Sequence, residues 1–153
     1  MTESVSGAAG VSAGVPHAPS LALLLKQSEH RIRLRLQPTL DELGFTLEHW
    51  WIMAVLRERP GLGMSPLAEA AAVPSATLTR HVDKLVERGM VVRRVDPADK
   101  RRVVAALSPG GELLAERLRA EEQQVEDAIA AGLGVDRFRA LSRELSLLPH
   151  ALD

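Results

Sequence analysis

The stretch PSATLTRHVDKLVERGMVVRRVDPADKRRV, residues Pro74 to Val103, decides the fold. Leu78, Val82, Leu85 and Val86 fall at i, i+4, i+7 and i+8, which gathers them on one face of a helix. Ala76, Arg80, Lys84 and Glu87 then point away, flanked by Thr77, Thr79 and Asp83. Gly89 stands where such a helix takes a left-handed C-cap, and Met90 after it can pack back on the last turn. Two β-prone runs follow. Val91, Val92 and Val95 make the first, and Val103, Val104 and Leu107, with Ala105 and Ala106 between, make the second. Asp96-Pro97-Ala98-Asp99 supplies turn chemistry between them. The stretch therefore predicts an amphipathic helix, a glycine stop and a short hairpin. The hairpin's tip and approaches carry Arg93, Arg94, Lys100, Arg101 and Arg102.

Charge is unevenly distributed along the chain. From Pro74 to Arg102 there are eight Lys/Arg and four Asp/Glu, a net of +4. The rest of the chain has eleven and sixteen, a net of −5. A local basic patch on an acidic body attracts a polyanion at one surface and repels it elsewhere.

Upstream, Ser65-Pro66 reads as an N-cap followed by proline at the first helical position, with Leu67, Ala70 and Ala71 facing inward. Ala68 occupies the place of the acidic partner in a capping box, so that motif is absent. A short helix, the turn Val73-Pro74-Ser75 and the amphipathic helix make a helix-turn-helix, whose second helix lies in a DNA major groove.

The flanks read as helices too. Ser20 can cap a helix in which Leu21, Leu24, Leu25, Ser28, Ile32, Leu36 and Leu40 recur at three- and four-residue steps. Leu23 and Leu34 lie off that stripe, so the helix must meet more than one neighbour, and Pro38 is expected to kink it. Arg31, Arg33 and Arg35 read as a solvated face. Gly44 ends this element and Thr46 caps the next, with Leu47, Trp50, Trp51, Ala54 and Val55 expected as the buried stripe before Pro60-Gly61. Adjacent tryptophans cannot face the same way, so one belongs in the core and the other either packs or lines a pocket. Ser108-Pro109 opens a long helix carrying Leu113, Leu114, Leu118, Val125 and Ile129, broken at Gly132-Leu133-Gly134. Phe138, Leu141, Leu145 and Leu148 form one stripe on a last helix that Pro149 stops.

At 153 residues the chain has the length of one domain with a real core. Aromatics are only 3%, so that core is built of Leu, Val and Ala, which favours helices. With no cysteines, disulfides and thiolate-held zinc are excluded. His17, His30, His49, His81 and His150 are scattered at no metal-binding or catalytic spacing, so neither an enzyme nor a cofactor is expected. The first residues, MTESVSGAAGVSAGVPHAPS, are too poor in large apolar groups to offset their ordering entropy and read as a disordered tail. They lack the basic start of a secretory signal, and no apolar run approaches a membrane span, so a cytoplasmic protein without membrane contact is expected.

From about Leu21 onward the chain resembles the MarR family of winged helix-turn-helix transcription regulators. The resemblance is carried by LTRHVDKLVERGMVVRR at Leu78 to Arg94, DPADKRR at Asp96 to Arg102 and LSPGGELL at Leu107 to Leu114. It implies a wing in which Asp99 steadies the tip and Arg101 enters the minor groove, where arginine reads shape more than base identity. It implies recognition-helix contacts from Ser75, Thr77, Thr79, Arg80 and Lys84, with Arg94, Lys100 and Arg102 on the wing. Arg80 is the candidate for direct base reading, because guanidinium is bidentate to guanine. Ala76 stands where relatives often carry Ser or Thr, and Pro74 where they often have a capping Asp or Ser, so one hydroxyl contact is missing.

The expected class is mostly α with a small β-hairpin wing (α+β), a winged helix-turn-helix domain plus N- and C-terminal dimerisation helices. Residues 1–19 form the tail, 20–45 an N-terminal dimerisation helix, 46–107 the DNA-binding domain and 108–153 the C-terminal dimerisation helices. The flanking helices carry more apolar surface than one wing domain covers, and the resemblance likewise implies a homodimer on a pseudo-palindromic operator. It further implies a small aromatic or anionic effector that relieves repression, with His30, Phe45, Trp50 and Trp51 as candidate pocket residues. Two other readings stay open: a regulator without a small-molecule ligand, and a winged helix used for protein–protein contact. The last has no need of a basic wing.

Overall fold

A computed structural model describes residues 18–153, so most of the expected tail lies outside the described residues. The order is α1 (Leu21–Leu43), α2 (Leu47–Glu58), β1 (Leu62–Gly63), α3 (Met64–Ala70), α4 (Ser75–Glu87), β2 (Val91–Val95), β3 (Val103–Leu107), α5 (Pro109–Leu133) and α6 (Val135–Leu147). A 3-10 turn, Pro149–Ala151, follows. The chain is thus mostly helical with a small antiparallel sheet, as the sequence predicts. Among the described residues no helix is long and apolar enough to cross a membrane.

Local chemistry sets most of these boundaries. The Ser20 hydroxyl accepts from the Leu23 N–H at 3.3 Å, and Gly44 closes α1 in the left-handed conformation at φ 71°. The helix runs on through Pro38 without a break. A capping box starts α2: the Thr46 hydroxyl accepts from the His49 N–H at 3.3 Å, and His49 Nδ1 accepts from the Thr46 N–H at 3.0 Å. Ser108 Oγ accepts from the Gly111 N–H at 3.0 Å and donates to the Gly89 carbonyl at 2.5 Å, pinning the start of α5 to the end of α4.

Two expectations are corrected. The buried face of α2 is Leu47, His49, Trp50, Ile52, Met53 and Leu56, whereas Trp51, Ala54 and Val55 are half-buried. This helix meets α1, α3, α4, α5 and β3, so more than one of its sides is covered. The N-cap of α3 is Gly63, not Ser65, and Pro66 falls within the first turn. Gly63 pairs with Val104, so the chain passes from strand to helix without a capping side chain. In α5 the buried residues are Gly111, Ala115 and Leu118, while Leu113 is 71% exposed.

The sheet has the order β1-β3-β2, with register Leu62↔Ala105 on one side and Val91↔Leu107 through Val95↔Val103 on the other. As the central strand, β3 buries Val104, Ala105 and Ala106. The core gathers Trp50, Ile52, Met53 and Leu56 of α2, Leu67 of α3, Leu78, Val82 and Leu85 of α4, Val91 of β2, and Ala115 and Leu118 of α5. By contrast α6 buries nothing and leaves Leu141, Leu145 and Leu147 exposed.

Among the described residues, the junction of hairpin and α5 is the tightest backbone contact around a glycine. Gly111 is buried, and a Cβ on it would overlap the Met90 carbonyl oxygen. Gly111→Ala is therefore expected to lower stability by about 3 kcal/mol, read as a fall in the urea midpoint. An unchanged midpoint would mean that α5 is not seated on Met90.

Candidate nucleic-acid interface

Helix α4 is held by its apolar side and offers its polar side. Leu78, Val82 and Leu85 are buried, which leaves Ser75, Ala76, Thr79, Arg80, Asp83 and Lys84 exposed. The expected contact residues are not all equally free. The Thr77 hydroxyl, half-buried, donates to the Pro74 carbonyl at 3.0 Å and closes a first turn that lacks a side-chain cap. Lys84 Nζ lies 3.0 Å from Glu87 Oε2, an exposed pair of the kind worth little in water.

Two further side chains of this stretch, Asp83 and Arg88, tie α4 to its surroundings. Asp83 pairs with Arg93 at the root of the wing, joining α4 to β2. Arg88, the C-cap residue, donates to the Gly44 carbonyl at 2.5 Å and the Leu43 carbonyl at 3.1 Å. Those carbonyls end α1, where a cation meets the negative end of the helix dipole. The same guanidinium lies 3.9 Å from the Phe45 ring centroid. Neither residue stands out in sequence as structural. The partners of Arg88 lie 44 and 45 residues away, and no local pattern announces them.

The wing is shaped by its aspartates. Asp96 Oδ1 accepts from the Ala98 N–H at 2.9 Å and Asp99 Oδ1 from the Arg101 N–H at 3.0 Å, two local turns in succession. The Asp96 N–H donates to the Arg102 carbonyl at 2.8 Å, and the Arg102 N–H to the Asp99 carbonyl at 2.9 Å. Asp99 thus fixes the backbone of Arg101, and its carboxylate forms no ion pair with that guanidinium. Arg102 is 3.9 Å from Asp96 Oδ2. Among the described residues Arg80, Arg94, Lys100 and Arg101 form no ion pair, and all four are exposed.

Beneath α4 sits a histidine pair. His49 is 7% exposed, and its ring lies edge-on to Phe45 at 5.9 Å and to His81 of α4 at 5.0 Å. Burial holds the His49 pKa below its ordinary value; His81, Arg88 and Lys84 act in the same direction, and Glu48 opposes them. A neutral ring is also what the capping box requires, because Nδ1 accepts a hydrogen bond there.

The four residues expected around an effector do not converge. Phe45 is buried beneath Arg88, and His30 is exposed on α1. Trp50 is a core residue at 2% exposure that lines a cavity against α5. Trp51 is half-buried under the Arg33 guanidinium, 5.7 Å from its ring, and lines a separate cleft with Ala70, Ala71 and Ala72.

A helix-turn-helix with an exposed cationic face, followed by a basic hairpin, defines a winged-helix DNA-binding protein. Comparison with known proteins narrows this. The MarR family model matches residues 43–102. The chain is 30% identical over 137 residues to the HTH-type transcriptional regulator FarR of Neisseria gonorrhoeae, covering 88% of this chain and 94% of that protein. Its fold matches that of NadR in complex with 4-hydroxyphenylacetate at TM-score 0.79 and 30% identity, covering 88% of this chain and 95% of the other. It also matches the repressor CouR bound to a 23-mer DNA duplex at TM-score 0.74 and 22% identity, over 85% and 92% of the two chains. The chain belongs to the MarR family of transcriptional regulators.

The histidine pair generates a pH prediction. Because the folded pKa of His49 is depressed, its contribution to stability is present above the unfolded value of about 6.5. It declines as pH falls through that value, where the unfolded chain binds a proton that the folded chain resists. His49→Gln keeps an acceptor for the capping box and removes the titration. Thermal melts across that range should show a flatter pH dependence for this variant, and an identical slope would remove His49 from the account.

Proposed function

We propose that the protein is a homodimeric, sequence-specific repressor that grips a pseudo-palindromic operator in double-stranded DNA and is released by a small effector, acting in the cytoplasm. The observation that carries the DNA reading is the set of four exposed cations without an ion pair among the described residues, Arg80 on the helix and Arg94, Lys100 and Arg101 on the wing, on a body of net negative charge. In this reading the segment 46–107 binds DNA. Arg80 reads a guanine edge in the major groove. Ser75, Thr79 and Lys84 meet phosphates or bases beside it, and Thr77 acts mainly by shaping the first turn. Arg94, Lys100 and Arg102 meet the backbone flanking the wing, while Asp99 holds Arg101 in the minor groove.

The segments 20–45 and 108–153 pair two copies. The support is exposed apolar surface at the two chain ends: Leu21, Leu23, Leu24 and Leu34 on α1, and Leu141, Leu145 and Leu147 on α6. Twofold symmetry then sets half-sites about one helical turn, roughly 34–36 Å, apart. The effector part draws support from NadR, whose structure holds 4-hydroxyphenylacetate.

Two substitutions test the DNA reading on operator and random duplexes by fluorescence anisotropy. Arg80→Ala should cost about 1–3 kcal/mol on the operator and little on random DNA; an equal loss on both would make Arg80 a phosphate contact. Arg101→Ala should weaken binding to every duplex and reduce the slope of log K against log salt by about one. An unchanged slope and affinity would reject the wing as a DNA contact.

A further inference from the structure

Helix α4 packs on α2, α3 and β2, whereas α1 packs on α2 and α5. The Arg88 guanidinium joins α4 to the end of α1 directly. Its two amino groups take separate carbonyls, Gly44 at 2.5 Å and Leu43 at 3.1 Å, and its central carbon lies 3.9 Å from the Phe45 ring centroid. Gly44 leaves room for this contact, since a Cβ there would stand 3.0 Å from Arg88 Nη1. About two turns earlier on the same face of α4, His81 meets His49, which in turn lies edge-on to Phe45. Arg88 and His81 thus grip the corner between α1 and α2 at two points along α4.

That corner is where the chain can bend. Only Gly44, Phe45 and Thr46 separate α1 from α2, and Gly44 stands at φ 71°, so the backbone link is a short glycine turn. Leu78, Val82 and Leu85 hold α4 within the segment that carries the wing, and Arg88 braces that segment against α1. Leverage makes the brace matter. Helix α1 has 23 residues, a length of about 35 Å at about 1.5 Å per residue, and Leu21, Leu23 and Leu24 are exposed at its far end. Over that length a displacement of one base-pair step, about 3.4 Å, needs a rotation of only about 6° at the corner.

We propose that Arg88 is a specificity-determining positioning residue: by bracing the α1–α2 corner against the end of α4, it sets the separation of the two α4 helices in a dimer and so the half-site spacing that the protein accepts. The inference rests on the homodimer and operator reading above. Arg88 acts here through α4 and not by contact with a base. Arginine suits the task because its planar fork spans two carbonyls while its face lies on an aromatic ring, whereas a lysine brings one point charge on a flexible stem.

The test uses duplexes that the parent chain selects from a random pool, rebuilt with one or two base pairs inserted or removed between the half-sites. Each inserted pair adds about 3.4 Å and about one-tenth of a turn. The parent should bind the altered spacings at least about tenfold more weakly than the selected one. Arg88→Ala should narrow that ratio to about threefold or less, and Arg88→Lys, which keeps the charge but loses the fork, should narrow it too. The lysine variant carries the test if the alanine variant melts below the assay temperature. Gly111→Ala is the control for lost stability, and it should keep the parent's ratio. An unchanged ratio in either Arg88 variant, with affinity falling equally on every spacing, would make Arg88 a stabilising contact only and overturn the proposal. Relaxed spacing in Gly111→Ala would overturn it as well. A parent chain that binds no duplex, or that ignores spacing, fails the dimer-on-operator reading and takes this proposal with it. A parent that discriminates while the Arg88 variants discriminate equally sinks this proposal alone.

Discussion

The structure depends on the burial of one side of α4. Leu78, Val82 and Leu85 are almost wholly excluded from water, and each contributes about 1.5–3 kcal/mol by leaving it. Their spacing fixes the rotation of the helix, so Arg80 and Lys84 face outward as a consequence of where the leucines and valine go. Asp83 to Arg93 and Arg88 to the end of α1 then fix the helix to the wing on one side and to the body on the other. Exposed ion pairs add little energy alone. Their importance is geometric, because they set the relation between the helix and the hairpin.

This division of labour explains how the basic residues of one stretch come to differ. Arg88 and Arg93 are committed to intramolecular partners, and Arg102 is loosely paired at the wing base. Arg80, Arg94, Lys100 and Arg101 have no such partner among the described residues. A count of charge along the sequence sees eight equivalent cations, whereas the fold separates those that build the surface from those that are the surface.

Much of the fold was legible because its determinants are local. Ser20, Thr46, Gly89 and Ser108 act within a few residues of themselves, and the apolar period of Leu78, Val82 and Leu85 is unambiguous. What was not legible depends on distant partners. A two-residue strand has no period, so β1 emerges only through its pairing with β3. The buried face of α2 was misjudged because a helix surrounded by five elements has no single apolar side. Of the candidate contact residues, the exposure of Arg80 and Arg101 follows from pattern alone. The turn role of Thr77 requires the coordinates, as does the separation of Phe45, Trp50, Trp51 and His30.

Taken together, α4 and the wing form one unit with two cationic prongs whose separation is set by the bonds around Asp83, Asp96 and Asp99. The most direct test of that unit is a double footprint on one bound operator duplex, combining guanine N7 methylation in the major groove with hydroxyl-radical cleavage in the minor groove. The account predicts protection of both, in adjacent grooves and repeated with twofold symmetry. Protection confined to a single groove, or no protection on a duplex the protein demonstrably retains, would contradict it.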